Sequence, residues 1–284
     1  MTNQGGSEQQ AQHTRFWEQQ WLWWDRIQAP LRPHRSDVQD MERTVARVAG
    51  ELGATELKAL LLGVTPEFAG MAWPQETTLL AVDRSQGMID NIWPRSVPPG
   101  AKAIQGDWLS LPVADTSCDV VIGDGCFSQV SYPDSAQQLA RELHRVLKPN
   151  GVLALRSFVR PTQTDTVGAL FEKLRQGQFG SFHIFKWCLN MALQPSLTQG
   201  VCLADVWDAV HVQYPDLGKL ASERAWSEES VDTIHAYRNS TARFFYPTLE
   251  ELRGVLRPHF TERQLWYPTY ELGERCPHLC FVRH

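Results

Sequence analysis

Apolar residues come in two rhythms along this chain. Short, nearly unbroken apolar runs at Leu57–Val64, Thr78–Val82, Ala101–Gln105, Cys118–Ile122 and Val152–Arg156 predict strands covered on both faces. Between them the spacing turns helical. Val38, Met41, Val45, Val48 and Leu52 share one face of a helix that Ser36-Asp37 opens and Gly53 stops. Thr65-Pro66-Glu67 starts a short helix, Ser85–Ile92 is another, and Leu139, Leu143 and Val146 mark one face of a helix over Ser135–Leu147. Lys148-Pro149-Asn150-Gly151 is a sharp stop and turn. Strands alternating with helices through short connections predict an α/β fold with a right-handed, doubly wound parallel sheet.

The rhythm breaks over residues 161–243. Helical stretches at Val167–Gln176, His183–Leu193, Cys202–Val212 and Glu228–Asn239 follow one another without strands between them. They predict a helical insertion, or cap, lying over the strand ends where substrate binds. Pro247–Leu256 then reads as a sheet-flanking helix with Thr248 near its N-cap, and Phe260–Tyr270 and His278–Arg283 as two closing strands. At the other end, Thr14–Ile27 predicts a short aromatic helix ended by Pro30 and Pro33, preceded by a polar, Gln-rich lead-in expected to be disordered. The expected organisation is therefore lead-in 1–13, N-terminal helices 14–56, core 57–160, cap 161–243, and the closing helix and strands of the core 244–284.

Composition narrows the function. The 284 residues, 43% apolar and 21% charged, suit a soluble globular enzyme with one elaborated domain. A net charge of −5 leaves no electrostatic footprint for nucleic acid. No apolar run approaches the roughly 20 residues of a membrane span, and the lead-in lacks the apolar stretch of a secretory signal. The six cysteines include no CxxC pair, which points to free thiols in a reducing cytoplasm. Cys276 and Cys280, with His278 and His284 nearby, invite a zinc reading, but Leu279–Val282 alternates as a strand does, so the thiols are read as structural and no metal is expected. Four of the 11 tryptophans fall within Trp17–Trp24, either as a helix face docked on the core or as a lid over a flat ligand.

The chemistry begins with Gly63, which ends one buried run, and Asp83, which ends the next about 20 residues later, the spacing at which such a sheet holds a nucleoside. Glycine lets the backbone approach the ligand, and the carboxylate accepts from ribose hydroxyls. With Leu60–Thr65, Ala81–Ser85, Ile104–Trp108, Asp119–Asp124 and Leu143–Gly151 in order, the chain resembles the class I S-adenosylmethionine-dependent methyltransferases from Leu57 to about Phe158, and loosely from Pro247 to His284. The resemblance implies a Rossmann-like sheet of seven strands, mostly parallel with one antiparallel edge strand. It also implies S-adenosylmethionine as cofactor and methyl transfer to an acceptor expected to be a small molecule. Carried over by motif position, Gly63, Val64 and Thr65 face the methionine portion. Asp83, with Arg84 beside it, binds the ribose, and Gly106, Asp107 and Trp108 meet the adenine. Asp124, Gly125 and Cys126 line the sulfonium region. Capping is the alternative role for Asp83 and Asp107, and packing for Trp108 and Cys126.

Two departures stand out. Only Gly63 remains of the three glycines usual in the first motif, Thr65 and Glu67 occupying the next two places, and Leu61 stands where an acidic residue is usual. Glu67 or Asp124 is the candidate substitute, and the glycine-poor loop leaves room for a relative that binds cofactor without transferring methyl. A nicotinamide-dependent oxidoreductase is disfavoured because no GxGxxG loop is present. For an acceptor that must lose a proton, His183, Tyr132 and Tyr246 are the candidate bases, with His235 and Tyr237 further possibilities. Arg238 and Arg243 are candidates for holding an acceptor carboxylate.

Overall fold

The computed structural model describes residues 4–53 and 56–284. Helix α1 (Gln4–Gln20) runs into a 3₁₀ turn at Trp21–Arg26, and α2 (Arg35–Leu52) leads to the sheet. Strand β1 (Leu57–Leu62) is buried at every position but Lys58, as a central parallel strand must be. Pro66–Ala69 (α3), β2 (Thr77–Asp83), α4 (Gln86–Ile92), β3 (Lys102–Gln105), β4 (Cys118–Asp124), α5 (Asp134–Val146) and β5 (Leu147–Arg156) complete the alternation. The insertion holds α6 (Val167–Arg175), α7 (Phe182–Leu193), β6 (Val201–Cys202), α8 (Leu203–Gln213), α9 (Leu217–Arg224), α10 (Glu228–Asp232) and β7 (Arg243–Phe244). Helix α11 (Leu249–Leu256) and strands β8 (Phe260–Trp266) and β9 (His278–Arg283) return to the core.

The seven-stranded sheet has the order β3-β2-β1-β4-β5-β9-β8, with β1 to β5 parallel and β9 antiparallel to both its neighbours. The reversed strand thus lies one place in from the edge, and β8 forms the edge itself. Chain order reverses between β1 and β4, so the crevice beyond their carboxyl ends is the place where such a sheet binds ligands. One face of the sheet packs Leu60, Val121 and Leu153 under α5 and α11, and the other packs Leu61, Val120 and Ala154 under α2. The insertion has a core of its own, built on Phe182, Phe185, Trp187, Leu174 and Val206.

Several local readings change. The stretch expected to be a disordered lead-in is helical from Gln4, because glutamine is a good helix former and the next turns are anchored by His13, buried against Trp17 and Phe244. Helix α2 starts one turn earlier than Ser36-Asp37 suggests. His34 is its N-cap, and Asp37, three residues on, accepts from the His34 amide at 2.7 Å to close a capping box. The helix expected over Glu228–Asn239 shortens to α10 and a 3₁₀ turn at Thr233–Tyr237. Between α8 and α10 lies α9, opened by Asp216 accepting from the Lys219 amide, and β6 pairs antiparallel with β7 in a region expected to hold no strands.

Arg156, fully buried at the end of β5, ties the N-terminal segment to the sheet. It donates to Asp37 Oδ2 at 3.1 Å, to Asp124 Oδ1 at 2.5 Å, and to the carbonyls of Pro30 and Arg32. His278 Nε2 and the Tyr270 hydroxyl also reach Asp37, at 3.0 and 3.1 Å. Burial alone would neutralise Asp37. The His278 hydrogen bond and the Arg156 charge overcome it and hold the carboxyl below its usual range. Asp37→Ala strands Arg156 without one of its two carboxylates and is expected to cost about 3–5 kcal/mol in urea unfolding. A loss below about 1 kcal/mol would show that the network does not hold the segment down.

Candidate active site

The carboxyl ends of β1, β2 and β4 open into one cavity roofed by α1 and closed at its far side by the insertion. Gly63 ends β1 with φ of 87°, in the left-handed region that favours glycine. A Cβ there would meet Asp83 Oδ2 and the Trp108 ring at 3.6 Å, filling the gap between them. The Asp83 carboxylate accepts the amides of Ser85, at 2.8 Å, and Val64. Burial nevertheless pushes its carboxyl up to about 6, the two amides opposing it only in part. Trp108 is pinned by Nε1 donating to the Val82 carbonyl at 2.6 Å, which sets its ring beside Gly63.

The roof is fastened over this cradle by one side chain. Glu18 of α1 accepts the Gln86 and Gly87 amides at 3.0 and 2.9 Å, capping α4 just past Asp83. His13, Phe16, Trp17 and Trp24 thereby line the cavity. The tryptophan-rich segment serves both roles considered for it, docking on the core through Trp24 and covering a ligand space through Trp17. His13 is held down to about 3 by burial and the nearby Arg84 charge, so it is neutral at physiological pH.

Of the residues singled out from sequence, Gly63, Val64, Thr65, Asp83, Arg84, Trp108 and Asp124 meet around the cavity. Gly106, Asp107, Gly125 and Cys126 do not line it. Gly106 makes room for Val82 and Pro112, and Gly125 for the Phe158 ring. Asp107 turns its carboxylate to the Arg84 guanidinium and the Leu109 amide, shaping the turn after β3. Cys126 is enclosed, and burial pushes its thiol up to about 12, which removes it as a nucleophile. Glu67 is likewise taken up: Arg32 Nε donates to it at 2.7 Å while stacking on Trp24, fastening the glycine-poor loop to the N-terminal segment. Asp124 keeps one oxygen on Arg156 and lines the cavity, so of the two candidate substitutes it is the one that reaches the ligand space.

The candidate bases separate. His183 is fully buried outside the cavity, its Nε2 at 3.0 Å from the Arg26 carbonyl, and burial holds it down to about 3, so it is a packing residue. Tyr132 is buried against Phe245, away from the cavity, and desolvation raises its hydroxyl well above the usual range. Tyr246 and Tyr237 line the cavity, but burial raises both hydroxyls too far for a base at neutral pH. His235 and Arg238 are exposed beside Trp207, and Arg243 donates to the Gln199 and Gly200 carbonyls. Sequence reasoning missed Lys186, Thr233, Ser128 and Phe244, which all line the cavity. The readable signal for Lys186 was one lysine inside the apolar run Phe182–Met191.

Comparison with known proteins agrees with this geometry. Residues 63–155 match the family model of a methyltransferase domain. An uncharacterized methyltransferase of Schizosaccharomyces pombe is 31% identical over 111 residues, which is 38% of this chain and 42% of that protein. The match therefore spans less than half the length of that curated relative. Among solved structures, a Rhodobacter sphaeroides protein described as a Zn-dependent alcohol dehydrogenase is 12% identical with a TM-score of 0.58, covering 96% of this chain and 98% of that one. A likeness at that identity concerns the fold alone. A SAM-dependent methyltransferase of Methanosarcina mazei is 15% identical with a TM-score of 0.48, covering 81% and 93%. The sheet order and the crevice at its switch point define a Rossmann-like core. Within that class, residues 63–155 are similar to a methyltransferase domain, and the resemblance of the motifs ties that domain to S-adenosylmethionine as cofactor.

The cradle fits the nucleoside half of that cofactor: Gly63 leaves the gap, Asp83 supplies the acceptor and Trp108 the flat face. Asp83→Ala is expected to weaken S-adenosylhomocysteine binding by about 1.5–3 kcal/mol. Because Asp83 accepts best when ionised, affinity is flat above pH 6 and falls as pH drops through it, about tenfold between pH 7.5 and 5. Calorimetric titration at the two pH values checks both; unchanged affinity in a folded Asp83→Ala variant removes Asp83 from the site.

Proposed function

We propose that this protein is an S-adenosylmethionine-dependent methyltransferase acting on a small-molecule acceptor in the cytoplasm. The observation that carries the reading is that one cavity joins the Gly63–Asp83–Trp108 cradle to an aromatic chamber walled by Phe16, Tyr237, Phe244 and Tyr246. A chamber roofed by α1 and closed by the insertion suits a small acceptor better than a nucleic acid or a membrane surface. Among the described residues no helix is long and apolar enough to cross a membrane. The cysteines are unpaired, which supports a reducing compartment.

When bound, the cofactor supplies a methyl group activated on a sulfonium sulfur. The protein's part is alignment and exclusion of water. Asp83 would accept from the ribose hydroxyls, Trp108 would flank the base, and the Asp124 oxygen not held by Arg156 would accept from the amino group. Helix α1, fastened by Glu18, keeps bulk water from the reacting centre. A second reading, cofactor binding without transfer, draws on the Arg32–Glu67 pair, which rigidifies a loop that is usually glycine-rich.

Incubation with methyl-labelled S-adenosylmethionine and a set of aromatic acids, phenols and amines is expected to place label on one class and release S-adenosylhomocysteine. Binding of cofactor and product without turnover on any class would favour the second reading. Failure of both nucleosides to bind would overturn the two together.

A further inference from the structure

Lys186 sits in the middle of α7 with 2% of its surface exposed, and it lines the cavity on the wall the insertion supplies. Its Nζ donates to Thr233 Oγ1 at 3.0 Å, and Thr233 in turn donates to the Ser230 carbonyl at 2.7 Å. The ammonium also lies over the rings of Tyr237 and Phe182, at 5.0 and 5.6 Å from their centroids. Among the described residues no carboxylate comes within ion-pair distance of it. The chain does supply partners to its other deeply buried cation, since Arg156 holds two carboxylates. Asp124, a carboxylate in the cavity wall, is already committed to Arg156.

A buried lysine with one hydrogen bond and no counter-charge is costly to the fold. Burial pushes the amine down to about 7, so it is poised to regain its proton when an anion arrives. The walls beside it are rings: Phe16, Tyr237, Phe244 and Tyr246 line the same chamber, with Phe16 packed edge-on against Tyr237 and Phe244. Flat apolar walls around a cation with no counter-charge select a flat apolar ligand with one anionic group.

We propose that this chamber is an acceptor subsite for a planar aromatic carboxylic acid, whose carboxylate pairs with Lys186 while its ring lies among Phe16, Tyr237, Phe244 and Tyr246. The assignment names the acceptor class for the proposed methyltransferase reading and rests on it. Lys186 is a specificity-determining residue: its ammonium neutralises the acid and fixes which end of the acceptor points away from the cofactor cradle.

The test is calorimetric titration of the full chain, saturated with S-adenosylhomocysteine, using 2-naphthoate and its neutral analogue 2-naphthamide. The acid is expected to bind at least tenfold more tightly than the amide. Lys186→Met keeps the side-chain length and removes the amine. It should erase that margin, leave S-adenosylhomocysteine affinity within about twofold, and raise the melting temperature of the free protein, because an unpaired buried amine is gone. Equal affinity for acid and amide in the natural chain overturns the proposal, as does a preference that survives in Lys186→Met. A lower melting temperature in that variant also overturns it, by assigning the lysine to the fold. If S-adenosylhomocysteine fails to bind, the same titrations on the free chain still read the acid preference, so failure of the cofactor reading is distinguishable from failure of this one.

Discussion

A single buried guanidinium organises the ligand end of this molecule. Arg156 closes β5 and cannot lose its charge, so everything around it is arranged to accept hydrogen bonds: Asp37 from α2, Asp124 from β4, and the Pro30 and Arg32 carbonyls from the segment between them. Three consequences follow from that one constraint. The segment after the tryptophan-rich turn is drawn down onto the sheet, Asp124 is held at the switch point with one oxygen to spare, and Arg32 is left in place to grip Glu67. Buried ion pairs contribute little net stability, but they make the alternative arrangements expensive, which is how this one specifies where the N-terminal segment lies.

That placement lets α1 act as a roof. Glu18 caps α4 and Trp17 and Trp24 face inward, so a crevice that would be open in a bare sheet becomes an enclosed space. The insertion supplies the opposite wall and brings Lys186 into the cavity lining. The cavity lining holds the Asp83 and Asp124 carboxylates and, near the rings of Phe182 and Tyr237, a lysine with no counter-charge among the described residues.

The sheet was legible because its strands are buried on both faces and announce themselves without long-range information, as Leu57–Leu62 and Val120–Ile122 do. That Gly63 and Asp83 reach one cavity was legible for a related reason: each stands at the end of a buried strand. Asp107 was not, because an acidic residue after β3 can equally serve a turn and a neighbouring arginine, and only the fold reveals that Arg84 claims it. The polar lead-in gave no apolar stripe to announce a helix, and its contact through His13 depends on Phe244, far away in sequence. Lys186 escaped notice because buried lysines are rare, and a lysine in an apolar helix reads by default as an exposed position. His183, one of several candidate bases that spacing could not distinguish, is enclosed beside the Arg26 carbonyl.

The most direct measurement of the central claim is a crystal structure of the protein with S-adenosylhomocysteine. The account predicts ribose hydroxyls on Asp83, the base against Trp108, and the amino group at Asp124, with the ligand enclosed beneath α1 and its sulfur end turned toward the Lys186 chamber. A ligand bound outside the cavity, or a Asp83 carboxylate still engaged only by the Ser85 and Val64 amides, would contradict it.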